Sequence, residues 1–218
     1  MNEKKITGAI FDMDGVLLDS MHVWNDAGER FLRKLGIAAE ADLGRKLFTM
    51  TMEDGADYLI EKYGLDMKCD EVISGIDGMI YDFYAEEVEL KPGVRELLEH
   101  LRRAGIPMVI ATSTDRIPAE KAMERTGIGG YFKGIFTCAE TGAGKDKPDI
   151  YLAAGKCIGT DTESTYVFED GLHGIRTAHE AGFVTVGIYD PASEKDQKQI
   201  RQIADIYFSG PVDPDSII

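Results

Sequence analysis

Two aspartates separated by one residue form the first group that could do chemistry. Asp12 and Asp14 end a short apolar run in the segment Phe11-Asp-Met-Asp-Gly15. In an extended chain, residues two apart share a side, so the two carboxylates would face the same way. Carboxylates that close repel each other unless a cation lies between them. Oxygen ligands with few nitrogen or sulfur candidates favour magnesium. Taken alone, the segment is equally compatible with a solvated turn.

A second acidic pair follows another apolar run. Glu169 and Asp170 come directly after Tyr-Val-Phe. Carboxylates at the end of a buried strand are costly unless something compensates their charge. A metal ion shared between the two pairs would do so. The alternative is that Glu169 and Asp170 only cap a helix that begins near Gly174.

Hydroxyl groups and a lysine could complete a site for an anion. Thr112 and Ser113 end a further apolar run, and Lys145 lies in a loop just before a predicted helix. Each has an ordinary alternative, since threonine often ends a strand and most surface lysines are only solvated. The net charge is -15, so an anionic phosphate would bind only in a locally positive pocket built from a metal, a lysine and backbone amides.

The elements that must position these residues alternate between strands and helices. Short apolar runs predict strands at 6–12, 107–111, 134–136, 166–168 and 184–188, and apolar residues at helical spacing predict helices at 94–104, 118–126, 149–157 and 174–181. This alternation predicts an α/β fold, a doubly wound three-layer core with a parallel sheet. Ligands bind such sheets beyond the carboxyl ends of the strands, where the acids and hydroxyls lie.

The segment from residue 20 to 90 breaks the alternation. Residues 24–35, 53–63 and 72–87 are helical in period or composition, and no convincing strand lies between them. The turn Lys91-Pro92-Gly93 cannot lie within a helix and returns the chain to the core. The predicted organisation is therefore a core of residues 1–19 and 91–218 with a helical insertion of residues 20–90.

Composition excludes several classes of protein. With 218 residues, 44% hydrophobic and 29% charged, the chain has the balance of a soluble globular protein and lacks the run of about 20 apolar residues that a membrane span requires. Its net negative charge disfavours nucleic-acid binding. The first apolar run is too short for a signal peptide, and three scattered cysteines suit reduced thiols. We therefore expect a cytoplasmic protein without membrane or nucleic-acid partners, in an oligomeric state that the sequence leaves open.

Four motifs in register resemble the haloacid dehalogenase-like hydrolase superfamily. Residues 11–20 (FDMDGVLLDS) resemble its first motif, 110–114 (IATST) its second, Lys145 in Gly-Lys-x-x-Pro-Asp its third, and 168–175 (FEDGLHGI) its fourth. Their order and spacing match from about residue 6 to 190. The resemblance implies a Rossmann-like core with a small helical cap. Asp14 favours the phosphatase and beta-phosphoglucomutase-like branch, because members that resemble dehalogenases or phosphonatases lack this acid.

The resemblance also implies roles for the acids. Asp12 would be the nucleophile that forms an aspartyl-phosphate, and Asp14 would be the general acid and then the general base. Mg2+ would be bound by Asp12, by the main-chain carbonyl of Asp14 and by Asp170. Glu169 would be either a direct metal ligand or a neighbour of the ligands.

The remaining implied roles concern the phosphoryl group. Thr112 and the amide of Ser113 would bind its oxygens, and Lys145 would balance the charge of nucleophile and phosphate. The predicted function is a magnesium-dependent phosphatase that hydrolyses a small phosphomonoester, such as a sugar phosphate or similar metabolite.

The alternative is a sugar-phosphate mutase of the beta-phosphoglucomutase type. Such an enzyme binds a second phosphate, and its cap supplies a histidine and an arginine. By alignment from Asp12 these fall on Trp24 and at or near Met52, neither of which is basic, and this disfavours the mutase. A binding protein without activity would have lost a nucleophile, a lysine or a metal acid, and none is lost.

Overall fold

The computed structural model describes residues 5–47 and 50–217, and within them it shows one sheet of six parallel strands. The strands are β1 (Gly8–Phe11), β2 (Met108–Thr112), β3 (Phe132–Thr137), β4 (Thr165–Glu169), β5 (Val184–Ile188) and β6 (Ile206–Phe208). Each of the five predicted strands lies at or overlaps one of them. The sixth was not predicted, because its three half-buried residues are too few to show a period.

The strand order is β3-β2-β1-β4-β5-β6, with β1 between β2 and β4. Phe11 pairs with Ile110 on one side and with Phe168 on the other. The chain builds outward from β1 to β3 and then returns to the other side of β1 to form β4. This reversal is the position where doubly wound sheets bind ligands. It brings the ends of β1, β2 and β4 together.

The helices fall into two sets along the chain. The first set is α1 (Met21–Lys34), α2 (Leu43–Leu47), α3 (Met52–Tyr63) and α4 (Cys69–Glu86); the second is α5 (Val94–Arg103), α6 (Arg116–Thr126), α7 (Cys138–Thr141), α8 (Asp149–Ile158), α9 (Leu172–Glu180) and α10 (Gln197–Ile203). The second set alternates with the strands. The predicted α/β fold with a doubly wound parallel sheet is therefore confirmed.

Apolar side chains of the strands bury the sheet beneath these helices. Ile10, Val109 and Val167, one from each central strand, are fully buried in a cluster with Ile150 and Ala154 of α8. The strand residues follow one another in neighbouring strands, so one face of the sheet is continuously apolar. This packing fixes the strand ends that carry the polar residues.

The chain divides into two compact units. One contains the residues up to Asp19 and those from Val88 onward, and the other is Ser20–Glu87, which holds α1 to α4. In the helical unit, Phe31 and Leu32 of α1 and Ile76 and Ile80 of α4 are buried. Within the described ranges, no helix is both long enough and apolar enough to cross a membrane.

The two connections of the core unit to the helical unit pair with each other. Leu18 forms an antiparallel bridge with Leu90, the Asp19 amide donates to the carbonyl of Glu89 (3.0 Å), and the Lys91 amide donates to the carbonyl of Leu17 (3.0 Å). Paired segments keep their backbone hydrogen bonds satisfied where the chain leaves and re-enters the core.

Lys91 connects these paired segments to the rest of the core unit. Its Nζ donates to the carbonyls of Gly15 (2.7 Å) and Tyr189 (2.9 Å) and to Oδ2 of Asp190 (2.8 Å). One ammonium group therefore joins the loop after β1, the end of β5 and the returning chain.

Candidate active site

Strand β1 delivers Asp12 to the reversal point of the sheet. The Asp12 amide donates to the carbonyl of Phe168 (2.9 Å), so sheet pairing continues up to this residue. Its side chain is buried, and Oδ1 accepts from the Met13 amide at 2.7 Å and lies 2.6 Å from Nζ of Lys145. Two donors on one oxygen fix the orientation of the carboxylate.

Lys145 bridges Asp12 to Glu169 at the end of β4. Its Nζ lies 2.6 Å from Oε1 of Glu169, and the hydroxyl of Tyr151 donates to the same oxygen at 2.9 Å. The amides of Asp170 and Gly171 donate to the other oxygen, Oε2, at 3.1 and 3.2 Å. Glu169 thus accepts from four donors, which is about the capacity of a carboxylate.

Asp170 lies against the loop that follows Asp14. Gly15 has φ +74°, and a Cβ at this position would lie 2.4 Å from Oδ2 of Asp170. Glycine is required here both for the left-handed backbone and for the space that the carboxylate occupies. The sharp exit that the sequence predicted at Gly15 brings the loop against Asp170.

Three of the predicted metal residues form one buried cluster. Asp12, Glu169 and Asp170 each offer a carboxylate oxygen within 4.8 Å of the others. Burial raises the pKa of Asp12 well above its ordinary value, and the charge of Glu169 raises it further while Lys145 opposes the shift. Burial and Glu169 likewise raise the pKa of Asp170. Concentrated negative charge in a buried site favours a bound cation.

Lys145 supplies only part of the balancing charge. Burial disfavours its ammonium form, but the charges of Asp12 and Glu169 outweigh burial and raise the pKa of Lys145 above its ordinary value. One ammonium against three ionised carboxylates leaves two negative charges, which one divalent cation would balance. The donors are all carboxylate oxygens, the ligands that Mg2+ prefers. The residues present therefore fit a magnesium ion.

Asp14 lies outside this three-carboxylate cluster, and its side chain has a different partner. The hydroxyl of Thr114 donates to Oδ2 of Asp14 at 2.6 Å, and the Thr114 amide donates to Oγ1 of Thr112 at 3.0 Å. A hydroxyl can donate to a carboxylate and accept from a carboxylic acid, so Thr114 can hold Asp14 in either protonation state. The role predicted for Asp14 at the metal used its main-chain carbonyl, which this contact leaves unaffected.

The other predicted phosphate-binding residues lie at the end of β2, next to β1. Thr112 is fully buried, whereas Ser113 is exposed and its Oγ lies 3.5 Å from Sγ of Cys138. Lys145 lies beside Asp12, so the structure brings residues of all four motifs to the carboxyl ends of the central strands.

Two residues that contact the site were not predicted. Thr114 follows Thr112 by two positions, so its place on the same side of the chain was a usable signal. Tyr151 gave no such signal, because an aromatic residue in a helix next to a sheet normally belongs to the core. Burial and the charge of Glu169 raise the pKa of Tyr151, so its hydroxyl keeps its proton and acts as a donor.

Comparison with known proteins shows which family the sequence resembles. The family model for haloacid dehalogenase-like hydrolases matches residues 6–182. A phosphorylated carbohydrates phosphatase of Thermotoga maritima is 29% identical over 173 residues, which cover 79% of this chain and 80% of the relative. A probable pseudouridine-5'-phosphatase of Drosophila melanogaster is 28% identical over 194 residues, covering 86% and 84%.

Solved structures give the same fold. A Thermotoga maritima protein provisionally named a beta-phosphoglucomutase superposes with a TM-score of 0.83 and 26% identity, covering 97% of this chain and 96% of that one. CbbY from Rhodobacter sphaeroides, solved with phosphate, gives a TM-score of 0.72 at 22% identity, covering 94% of each chain. The prediction of a phosphoric monoester hydrolase is supported by the relatives that are named phosphatases. The family model matches most of the chain, which therefore belongs to the haloacid dehalogenase-like hydrolase family.

Proposed function

We propose that the protein is a magnesium-dependent phosphatase that hydrolyses a small phosphomonoester, such as a sugar phosphate, through an aspartyl-phosphate on Asp12. The observation that carries this proposal is the pairing of two aspartates with different partners. Lys145 holds Asp12, and Thr114 holds Asp14 two residues further on. These different surroundings support the assignment of Asp12 as the nucleophile and Asp14 as the proton carrier.

In the first step, a carboxylate oxygen of Asp12 would attack phosphorus and the bond to the leaving oxygen would break. Asp14 would give its proton to that oxygen, so the alcohol leaves neutral. The Lys145 ammonium would offset the charge that gathers on the phosphoryl oxygens, and Thr112 and the Ser113 amide would donate hydrogen bonds to them.

In the second step, water would attack the aspartyl-phosphate. Asp14, now ionised, would take a proton from that water, and Asp12 would leave as a carboxylate together with inorganic phosphate. Thr114 would support Asp14 in both steps. Magnesium would be held by Asp12, the Asp14 carbonyl and Asp170; when bound, it would neutralise charge on the phosphate and orient it.

The test is a phosphate-release screen over sugar phosphates, nucleotides and short-chain phosphates, with Mg2+ present. We expect turnover of at least one sugar phosphate or similar metabolite, and none with Asp12→Asn, because an amide cannot form the acyl phosphate. Cys157→Ser is a matched control on the exposed surface and should keep wild-type rates. Asp12→Asn activity within about tenfold of wild type, in preparations free of deamidation, would contradict the nucleophile assignment.

The mutase is the second candidate, because the solved structures include proteins named as phosphoglucomutases. Against it stand Trp24 and Met52, because by alignment from Asp12 the cap histidine of the mutase falls on Trp24 and its cap arginine at or near Met52. Both side chains are substantially exposed, at 45% and 47%, and neither carries a charge. Burying a second phosphate without a cationic partner would cost several kcal/mol.

These two candidates differ in their products. Beta-glucose 1-phosphate is supplied with a trace of the 1,6-bisphosphate, and glucose 6-phosphate and free phosphate are both followed. We expect phosphate release without isomerisation, even if this substrate is a slow one. Fast isomerisation with little free phosphate would establish the mutase and refute the phosphatase.

A further inference from the structure

We propose that Tyr151 is a positioning residue, whose buried hydroxyl holds Glu169 so that Glu169 in turn orients Lys145 toward Asp12. This inference rests on the proposed function, since it concerns the lysine of the same site. The Tyr151 hydroxyl donates to Glu169 rather than to Lys145 or Asp12. It would act only through Glu169.

The contacts form one chain of hydrogen bonds. The Tyr151 hydroxyl lies 2.9 Å from Oε1 of Glu169, Lys145 Nζ lies 2.6 Å from the same oxygen, and Nζ lies 2.6 Å from Oδ1 of Asp12. Two donors that approach one oxygen from different elements define its place more narrowly than either alone. The ammonium is then held between two fixed acceptors.

The ring of Tyr151 is itself immobilised. It is fully buried in the cluster beneath the sheet, which includes Ile10 and Val167, and Phe183 packs on it edge to face with ring centroids 6.3 Å apart. A ring in a close-packed core has few alternative rotamers. The hydroxyl is therefore a fixed donor, unlike the ammonium at the end of a flexible lysine side chain.

Helix α9 packs closely against the side chains of Glu169 and Tyr151. A Cβ at Gly174 would lie 2.3 Å from Oε1 of Glu169 and 2.7 Å from the Tyr151 hydroxyl oxygen. The absence of a side chain at Gly174 lets α9 approach while the hydrogen bond remains. Three elements, β4, α8 and α9, thus meet at the oxygen that Lys145 uses.

Loss of the hydroxyl should let Lys145 move away from Asp12 while Glu169 still holds it. In Tyr151→Phe the ring remains, and the two amides still hold Oε2 of Glu169. Of the two side-chain donors to Oε1 of Glu169, only Lys145 would remain. Oε1 and the Lys145 ammonium could then move together. Small misplacements of catalytic groups reduce rates strongly, so we expect kcat to fall about tenfold. KM should change less than kcat, because Thr112 and the Ser113 amide would still bind the phosphate, and the Mg2+ concentration for half activation should stay within about twofold of wild type.

The matched control is Tyr207→Phe, whose hydroxyl donates to Oε1 of Gln197 at 2.6 Å in another part of the core unit. Both variants lose one tyrosine hydrogen bond, and both are checked by circular dichroism and thermal unfolding. We expect wild-type kcat for Tyr207→Phe. A kcat of Tyr151→Phe within about twofold of wild type, or an equal loss of kcat in the control, would overturn the proposal.

Crystal structures of the wild type and Tyr151→Phe, both without substrate, provide a test that does not require turnover. We expect the distance from Lys145 Nζ to Asp12 Oδ1 to lengthen beyond about 3.2 Å, the normal limit of such a bond. An unchanged distance would overturn the positioning role. If the wild type hydrolyses no phosphomonoester, the proposed function fails, but these two structures still decide the role of Tyr151.

Discussion

Replacing Lys91 with methionine should destabilise the protein strongly. Methionine keeps most of the aliphatic part of the side chain but removes the ammonium. The ammonium of Lys91 lies 2.8 Å from the carboxylate of Asp190, and the two side chains are only 17% and 6% exposed. The carbonyls of Gly15 and Tyr189 lose the same donor. Removing one partner of a buried ion pair costs about 3–5 kcal/mol, because it leaves the other charge uncompensated. For a chain of this size, that corresponds to a fall in melting temperature of about 6–20 °C.

The assay is equilibrium unfolding in urea, with the double variant Lys91→Met/Asp190→Asn as the control. If the unpaired charge of Asp190 is the cause, the double variant should recover most of the lost free energy of unfolding, since an amide is less costly to bury than a carboxylate. A single variant within about 1 kcal/mol of wild type would refute the reasoning. A double variant as unstable as the single one would show that the charge of Asp190 is not the cause.

Three further predictions concern the metal, the proton carrier and acid stability. Mg2+ at about 100 times its dissociation constant should raise the free energy of unfolding by about 2.7 kcal/mol relative to excess chelator. Calorimetric titration should show that Asp170→Asn weakens Mg2+ binding much more than Glu169→Gln does. Equal effects of the two variants would contradict the assignment of Asp170 as the stronger ligand. Thr114→Val should lower kcat by about tenfold with little change in KM, measured in the best assay of the screen, because Asp14 loses its hydroxyl partner; unchanged kcat would exclude that role. Hydrogen bonds from Lys46 and Tyr58 lower the pKa of Glu40 from 4.5 to about 2, so the stability from these bonds is present above pH 4.5 and lost as the pH falls toward 2. The free energy of unfolding, measured in urea across this range, should fall more steeply with falling pH for wild type than for Glu40→Gln. Parallel pH dependences of the two proteins would contradict this prediction.

The residues at the strand ends could be predicted because a parallel sheet brings its carboxyl ends to one edge. Asp12, Thr112 and Glu169 each end an apolar run, and the pairing of β1 with β2 and β4 places those ends side by side. The family resemblance then added roles to positions that the alternation of strands and helices had already grouped. Neither inference depended on which side-chain atoms touch.

Some contacts between side chains far apart in sequence were not predicted. Thr114 bonds to Asp14 across 100 positions, and Lys91 bonds to Asp190 across 99. Lys91 lies in a turn segment of charged and small residues, where a solvated lysine is the ordinary expectation. Its burial depends on the end of β5 lying beside the loop after β1. The pattern of apolar residues near Lys91 in the sequence does not predict that arrangement.

The structure bears on the question that the sequence left open at Glu169. A carboxylate that binds a metal directly must offer a free lone pair, but the two oxygens of Glu169 already accept from Lys145, Tyr151 and two backbone amides. Direct coordination would require at least one of these donors to move away, at the cost of a buried hydrogen bond. Burial and the charge of Glu169 raise the pKa of Asp170, so a cation would stabilise its ionised form. Magnesium should therefore bind mainly through Asp12 and Asp170, while Glu169 sets the position and charge of Lys145.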